Sequence, residues 1–199
     1  MAVKLIYFPS GKSDVACLHG YVRAMSRAMR GYFGIGVESI SKPMNVGNLI
    51  RSAHAFGADF FFAIAPAIDL KQIDRSDTSK THRHMPVYEY ATPKDLTLPK
   101  GCQLVGVELL DGAYDLPSFT HPEQAAYILG PEKGELSPEV VARCDHVVKI
   151  PTKFCVNVGV AGAILIYDRW LTKGRFAARP IAAGGPTEEL APHFHGGRD

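Results

Sequence analysis

Cysteine is scarce and scattered in this 199-residue chain: Cys17, Cys102, Cys144 and Cys155 stand far apart, with no C-x-x-C pair. Neither a disulfide framework nor a thiolate zinc site is expected from that pattern. No apolar run approaches the roughly 20 residues that cross a bilayer. The opening MAVKLIYFPSGKSD has too short an apolar stretch, and too polar a continuation, for a signal peptide. No membrane partner and a cytoplasmic location are therefore the expectations. An excess of one charge is also lacking, because 22 Lys and Arg face 20 Asp and Glu for a net +2. That balance does not announce a nucleic-acid partner, for which the placement of the basic residues is decisive. There is no GxxxxGK[ST], no GxSxG and no H-x-E with a downstream P-C-x-x-C, which removes support for P-loop, serine-hydrolase and zinc-deaminase chemistry. GYFGIG at 31–36 reads as preceding the first core strand, so it fails the dinucleotide fingerprint. His82-x-His84 and His193-x-His195 lack a nearby Cys or acidic cluster and read as structural or substrate-loop histidines, with no metal expected.

What is present is an ordinary globular composition, 46% hydrophobic and 21% charged, long enough for one domain with short extensions. Residues 3–8 form a short apolar run, a strand or an arm. Residues 13–30 have helical periodicity, with Val15, Leu18, Val22, Met25 and Met29 on one stripe and Arg23, Arg27 and Arg30 on another. A solvated face and a phosphate-contacting face both remain open for the basic stripe. From Ile35 onward strands and helices alternate. Strand signals fall on 35–40, 59–65, 86–91, 103–110, 125–130 and 146–150. Helix signals fall on 46–56, 137–144 and 157–171, and 69–85 is a polar loop or short helix. Several of the strands are continuously apolar, which predicts an α/β fold: a mostly parallel sheet with helices on both faces. Residues 174–199, rich in Gly, Pro and Ala, read as a flexible tail.

Three segments carry chemistry. In SKPMNVGNLIRSAHAFGA (41–58), Asn45 can cap the helix that follows. Arg51 lies four residues after Gly47, on the same helical face and near the free N–H groups of a helix start, a good place to hold an anion. In YILGPEKGELS (127–137), a strand runs straight into Gly-Pro-Glu, putting Glu132 in a tight loop at a strand's carboxyl end, where α/β sheets bind ligands. In KIPTKFCVNVGVAGAILIYDRW (149–170), another strand ends at Ile150-Pro151 and Asn157 opens the last helix, as an N-cap or a ligand contact or both.

Together these segments resemble the SpoU–TrmH family of S-adenosylmethionine-dependent RNA ribose methyltransferases, part of the SPOUT superfamily. The family's N-x-G-x-x-x-R is matched by Asn45, Gly47 and Arg51. Its G-x-E-x-x-G is matched by Gly130 and Glu132, with Gly134 offset by one. Its I-P … S-L-N-x-x-x-A is matched by Ile150, Pro151, Asn157 and Ala161, with Cys155 and Val156 in place of Ser and Leu. The resemblance covers roughly residues 35–171.

It implies a methyltransferase domain over 35–172, flanked by an arm and amphipathic helix (1–34) and the tail (173–199). The sheet would end in a C-terminal deep trefoil knot, a topology that pattern alone would not propose. The implied cofactor is S-adenosylmethionine, against Leu109, Gly130, Ile150 and Val156. The implied partners are tRNA or rRNA and a second copy of the chain in a homodimer, with no DNA. The implied reaction methylates a ribose 2′-hydroxyl. Arg51 would carry the central catalytic role, with Asn45 and Glu132 orienting it and the ribose, and Asn157 shaping the pocket floor. Arg23, Arg27, Arg30, Lys80 and Arg83 would track RNA phosphates. A competing reading is a non-catalytic RNA-binding member that retains the cofactor pocket, which Cys155 alone supports.

Overall fold

The computed structural model describes residues 4–7, 31–70, 85–174, 176 and 178–185. The helix expected over 13–30 with Arg23, Arg27 and Arg30, the loop residues Lys80 and Arg83, and both His-x-His pairs lie outside the described residues. In chain order the elements are β1 (Lys4–Tyr7), β2 (Tyr32–Glu38), α1 (Pro43–Ala55), β3 (Phe60–Ile64), β4 (Val87–Tyr90), β5 (Gln103–Val107), β6 (Tyr114–Asp115), β7 (Gln124–Leu129), α2 (Pro138–Val141), β8 (His146–Lys149) and α3 (Val158–Lys173). The strands form one sheet in the order β1-β4-β3-β2-β7-β5-β8-β6. All neighbours from β4 to β6 run parallel, and only the edge pair β1–β4 is antiparallel. The α/β reading with a mostly parallel sheet holds.

Both faces of the sheet are covered. On one face, Phe33, Ile35 and Val37 of β2 share a core with Val46, Leu49 and Ile50 of α1 and with Leu165 and Ile166 of α3. On the other, Phe62, Ile64, Leu104 and Ile128 pack with Leu136, Val140 of α2 and Leu96. Burying each large apolar side chain is worth about 1.5–3 kcal/mol, while helix propensities differ by only tenths for ordinary residues. Packing therefore decides where the helices lie.

The first core strand starts earlier than its pattern suggests. GYFGIG runs into β2 instead of preceding it. Gly34 and Gly36 leave room for the rings of their cross-strand partners Phe60 and Phe62; a Cβ on Gly36 would stand 2.6 Å from the Phe62 ring. Glycines that make space look like turn residues in a sequence, which explains the misplacement. The small residues of α3 serve the close packing of helices within the chain. Gly159 faces Asn48 and Gly162 faces Leu49, so they bring α1 and α3 of one chain together. Outward, α3 presents the exposed apolar side chains Val160, Ile164, Tyr167 and Leu171.

At the amino end of the sheet, Arg169 of α3 is fully buried. Its guanidinium donates to Pro122 O (2.6 Å), Glu123 O (2.9 Å), Tyr32 O (3.2 Å) and Tyr127 Oη (3.0 Å), and it lies over the Phe33 ring. His121 bridges Tyr127 Oη (2.7 Å) and Asp168 (3.0 Å). Burial pushes the Tyr127 phenol up to about 12, so it stays protonated. One arginine thus fastens the last helix to the starts of β2 and β7. Arg169→Met removes the donor from Pro122 O, while Glu123 O keeps the N–H of Tyr32 (3.0 Å), and a buried acceptor left dry costs about 1–3 kcal/mol. The expected result is a fall in stability of about 1–3 kcal/mol, read in urea as a lower midpoint at an unchanged m.

Candidate functional site

The carboxyl ends of the parallel strands are where the chain departs from regular geometry. Ser39 and Ala65, just beyond β2 and β3, have φ of 51° and 45°, a left-handed conformation that non-glycine residues adopt only under constraint. The loops after β5, β7 and β8 and the first turns of α1 and α3 enclose a cleft of about 340 Å³. Val107, Leu109, Leu129, Ile150 and Val156 give it apolar walls, while Lys42, Asn45, Glu108, Glu132 and Asn157 supply polar groups. Apolar walls with a few convergent polar groups are what a small-molecule site requires.

A continuous set of hydrogen bonds crosses the rim of this cleft. Asn157 caps α3, its Oδ1 accepting from Gly159 N at 2.9 Å. Its Nδ2 donates to Asn45 Oδ1 at 2.9 Å, and Asn45 Nδ2 donates to Glu132 Oε1 at 2.9 Å. Glu132 Oε1 also accepts from Lys42 N (2.9 Å), and its Oε2 accepts from Ser41 N (3.1 Å) and Ser41 Oγ (2.9 Å). Asn45 therefore does not cap α1. That helix starts at Pro43 with Lys42 at its N-cap and no side-chain cap of its own. The carboxylate of Glu132, from a loop nearly ninety residues away, takes the N–H that an acid at the third helical position takes in a capping box. Asn45, at that third position, faces inward and is buried.

The structure brings together Asn45, Glu132 and Asn157 with Leu109, Gly130, Ile150 and Val156 around one cleft. Arg51 is not among its walls. It is exposed on α1 and lines an adjoining, shallower cleft with Phe56, Ile164 and Tyr167, and Asn157 borders both. Cys155 lies on the first cleft and is exposed. Two acids that motif matching passes over also stand at this edge. Glu108 accepts from Leu109 N (2.8 Å) and Leu136 N (2.9 Å), and Glu38 accepts from Ser137 N (2.8 Å). Their signal in the sequence was an acidic residue closing an apolar strand. Among the described residues no group of three or more His, Cys, Asp or Glu could hold a metal ion.

Burial pushes the Glu132 carboxyl up, but the hydrogen bonds from Asn45 and Ser41 outweigh it and hold the group below its ordinary 4.5. A carboxyl whose folded pKa is depressed contributes stability that is fully present above the unfolded pKa. That stability is lost as pH falls through the folded value. Glu132→Gln should therefore lower the melting temperature at neutral pH and flatten its decline below about pH 4.5, as followed by thermal denaturation across an acid series.

The model of the SpoU rRNA Methylase family matches residues 33–167. The tRNA (guanosine(18)-2′-O)-methyltransferase of Escherichia coli (strain K12) is 27% identical over 138 residues, covering 66% of this chain and 60% of that protein. The 23S rRNA (guanosine(2553)-2′-O)-methyltransferase of Bacillus subtilis (strain 168) is 28% identical over 139 residues, 66% of this chain and 55% of that one. The chain thus spans only about 60% of the length of the first of these relatives. Among solved structures, the SpoU methyltransferase AviRb of Streptomyces viridochromogenes, in complex with AdoMet, superposes with a TM-score of 0.64 at 22% identity, covering 71% of this chain and 58% of that one. An rRNA methyltransferase of Sinorhizobium meliloti gives 0.63 at 21% identity, covering 71% of this chain and 56% of that one. At such identities the structural likeness speaks for the fold. With the family model spanning more than half of its residues and the three motifs meeting at one cleft, the chain belongs to the SpoU rRNA Methylase family.

Proposed function

We propose that this protein transfers a methyl group from S-adenosylmethionine to a ribose 2′-hydroxyl of tRNA or rRNA. The observation that carries this reading is the hydrogen-bonded meeting of Asn45, Glu132 and Asn157 at the mouth of a cleft of ligand size. The relatives named for tRNA and 23S rRNA supply the substrate class.

The residues present fit the cofactor. The cleft volume falls within the usual range for small-molecule sites, its apolar walls suit an adenosine, and Glu108 and Glu132 put negative charge beside a ligand that carries a cation. Leu109, Gly130, Ile150 and Val156 would hold it. When bound, S-adenosylmethionine supplies an electrophilic methyl group on a sulfonium. Everything else falls to the chain. The guanidinium of Arg51 offers a planar fork of donors and no acceptor, so it clamps a substrate phosphate and stabilises the developing alkoxide instead of removing a proton. Asn45 and Glu132 hold the start of α1, and with it Arg51, against the pocket floor shaped by Asn157. Alignment of the acceptor oxygen supplies much of the rate.

The same reading extends to architecture. The C-terminal segment passes through a loop in the deep trefoil knot of the family, which accounts for three sequence-distant loops sharing one cleft. The active unit is a homodimer in which the exposed stripe of Val160, Ile164, Tyr167 and Leu171 is covered by a second copy. Residues 35–172 form the catalytic domain. The segments 1–34 and 173–199 flank it, and Arg23, Arg27, Arg30, Lys80 and Arg83 serve as contacts to RNA phosphates. The cytoplasm is its place of action.

Calorimetry should show S-adenosylmethionine binding with competition by its demethylated product, and light scattering should give twice the chain mass; no binding of either ligand removes the enzyme reading. Arg51→Ala should leave cofactor affinity nearly unchanged and cut methyl transfer about 10²–10³-fold. Arg51→Lys should rescue little, since a point charge does not reproduce the planar fork.

A further inference from the structure

We infer that Glu108, outside all three family motifs, is a positioning residue for the cofactor: its carboxylate ties the end of β5 to the loop after β7 and so sets the width of the cleft. This rests on the proposed use of S-adenosylmethionine. Glu108 lines the cleft at the carboxyl end of β5. Its Oε1 accepts from Leu109 N at 2.8 Å, turning the chain as it leaves the strand, and its Oε2 accepts from Leu136 N at 2.9 Å. Leu136 is buried and anchored in the second core cluster, so the bond is made to a fixed point. The intervening loop is therefore held at its entry by β7, at its tip by the bonds of Glu132 to α1, and at its exit by Glu108.

Gly130 belongs to the same device. A Cβ there would stand 3.0 Å from Glu108 Oε2 and 3.2 Å from Leu136 N, against both ends of that hydrogen bond. The glycine of the second motif thus has a task besides its closeness to a ligand: it leaves space for the strap. Leu109 and Gly130, both on the cleft wall, are the immediate neighbours of the two ends being joined.

Only a carboxylate serves both donors. A glutamine has one acceptor oxygen and turns an NH₂ toward the other N–H. The full chain carrying Glu108→Gln should therefore bind S-adenosylmethionine and its demethylated product about tenfold more weakly, the measured equivalent of one displaced hydrogen bond. KM for the cofactor should rise in parallel while kcat at saturating cofactor stays within about twofold, the split expected of lost ground-state binding. Glu108→Asp, charged but one methylene too short to span both donors, should lose affinity similarly, and it serves if the glutamine variant does not fold. Glu38→Gln removes the adjacent bond to Ser137 from outside the cleft and should lower the melting temperature with little change in affinity. Wild-type affinity in both Glu108 variants overturns the assignment. So does an equal loss in Glu38→Gln, or a fall in kcat with KM unchanged. A wild-type chain that binds no S-adenosylmethionine refutes the proposed function itself, before any variant is made.

Discussion

The side-chain bridge from Asn157 through Asn45 to Glu132 is the constraint on which the rest of the site depends. It joins residues 112 and 87 positions apart in the chain, so no local preference can form it; the sheet and the helices packed on it bring them together. Each neutral hydrogen bond contributes about 1 kcal/mol net, and those to a charged group about 1.5–3 kcal/mol. That is small beside the burial that holds α1 and α3 on the sheet. The bridge therefore governs placement more than stability. It registers the start of α1 against the start of α3 and fastens both to the loop after β7.

The last helix is secured at both ends by different chemistry. At its start a neutral amide caps the helix and passes the contact on to α1. Near its end a buried guanidinium reaches the backbone at the beginnings of β2 and β7. Between them, Gly159 and Gly162 let α1 approach closely. A helix fixed in this way is a rigid mount, and both clefts of the carboxyl edge use it. Rigid elements hold reacting groups more precisely than loops do, which matters where alignment supplies the rate.

Much of this was legible in the residues. The continuously apolar segments of β3, β5 and β7 show a parallel sheet buried on both sides, and Leu109, Gly130, Ile150 and Val156, which the family resemblance singled out, line one cleft. Other features were hidden for physical reasons. The start of β2 was misplaced because the need that Gly34 meets, space for Phe60, belongs to a neighbouring strand. Asn45 looked like a cap because capping residues and buried bridging amides share one chemistry, and only the position of Glu132 distinguishes them. Arg169 looked like one more polar residue on a helix, since its acceptors are carbonyls scattered over ninety residues. Glu38 and Glu108 sit at strand ends where an acid normally faces water, and their backbone partners come from elsewhere in the chain.

The proposed activity is transfer of a methyl group to a ribose oxygen of RNA. The most direct measurement incubates the protein with methyl-labelled S-adenosylmethionine and total tRNA and rRNA, then hydrolyses the RNA in alkali. A 2′-O-methyl group removes the hydroxyl that alkaline cleavage needs, so the account predicts label in alkali-resistant dinucleotides at defined positions. Label confined to alkali-sensitive nucleotides, or no label in any RNA while the cofactor binds, would contradict it.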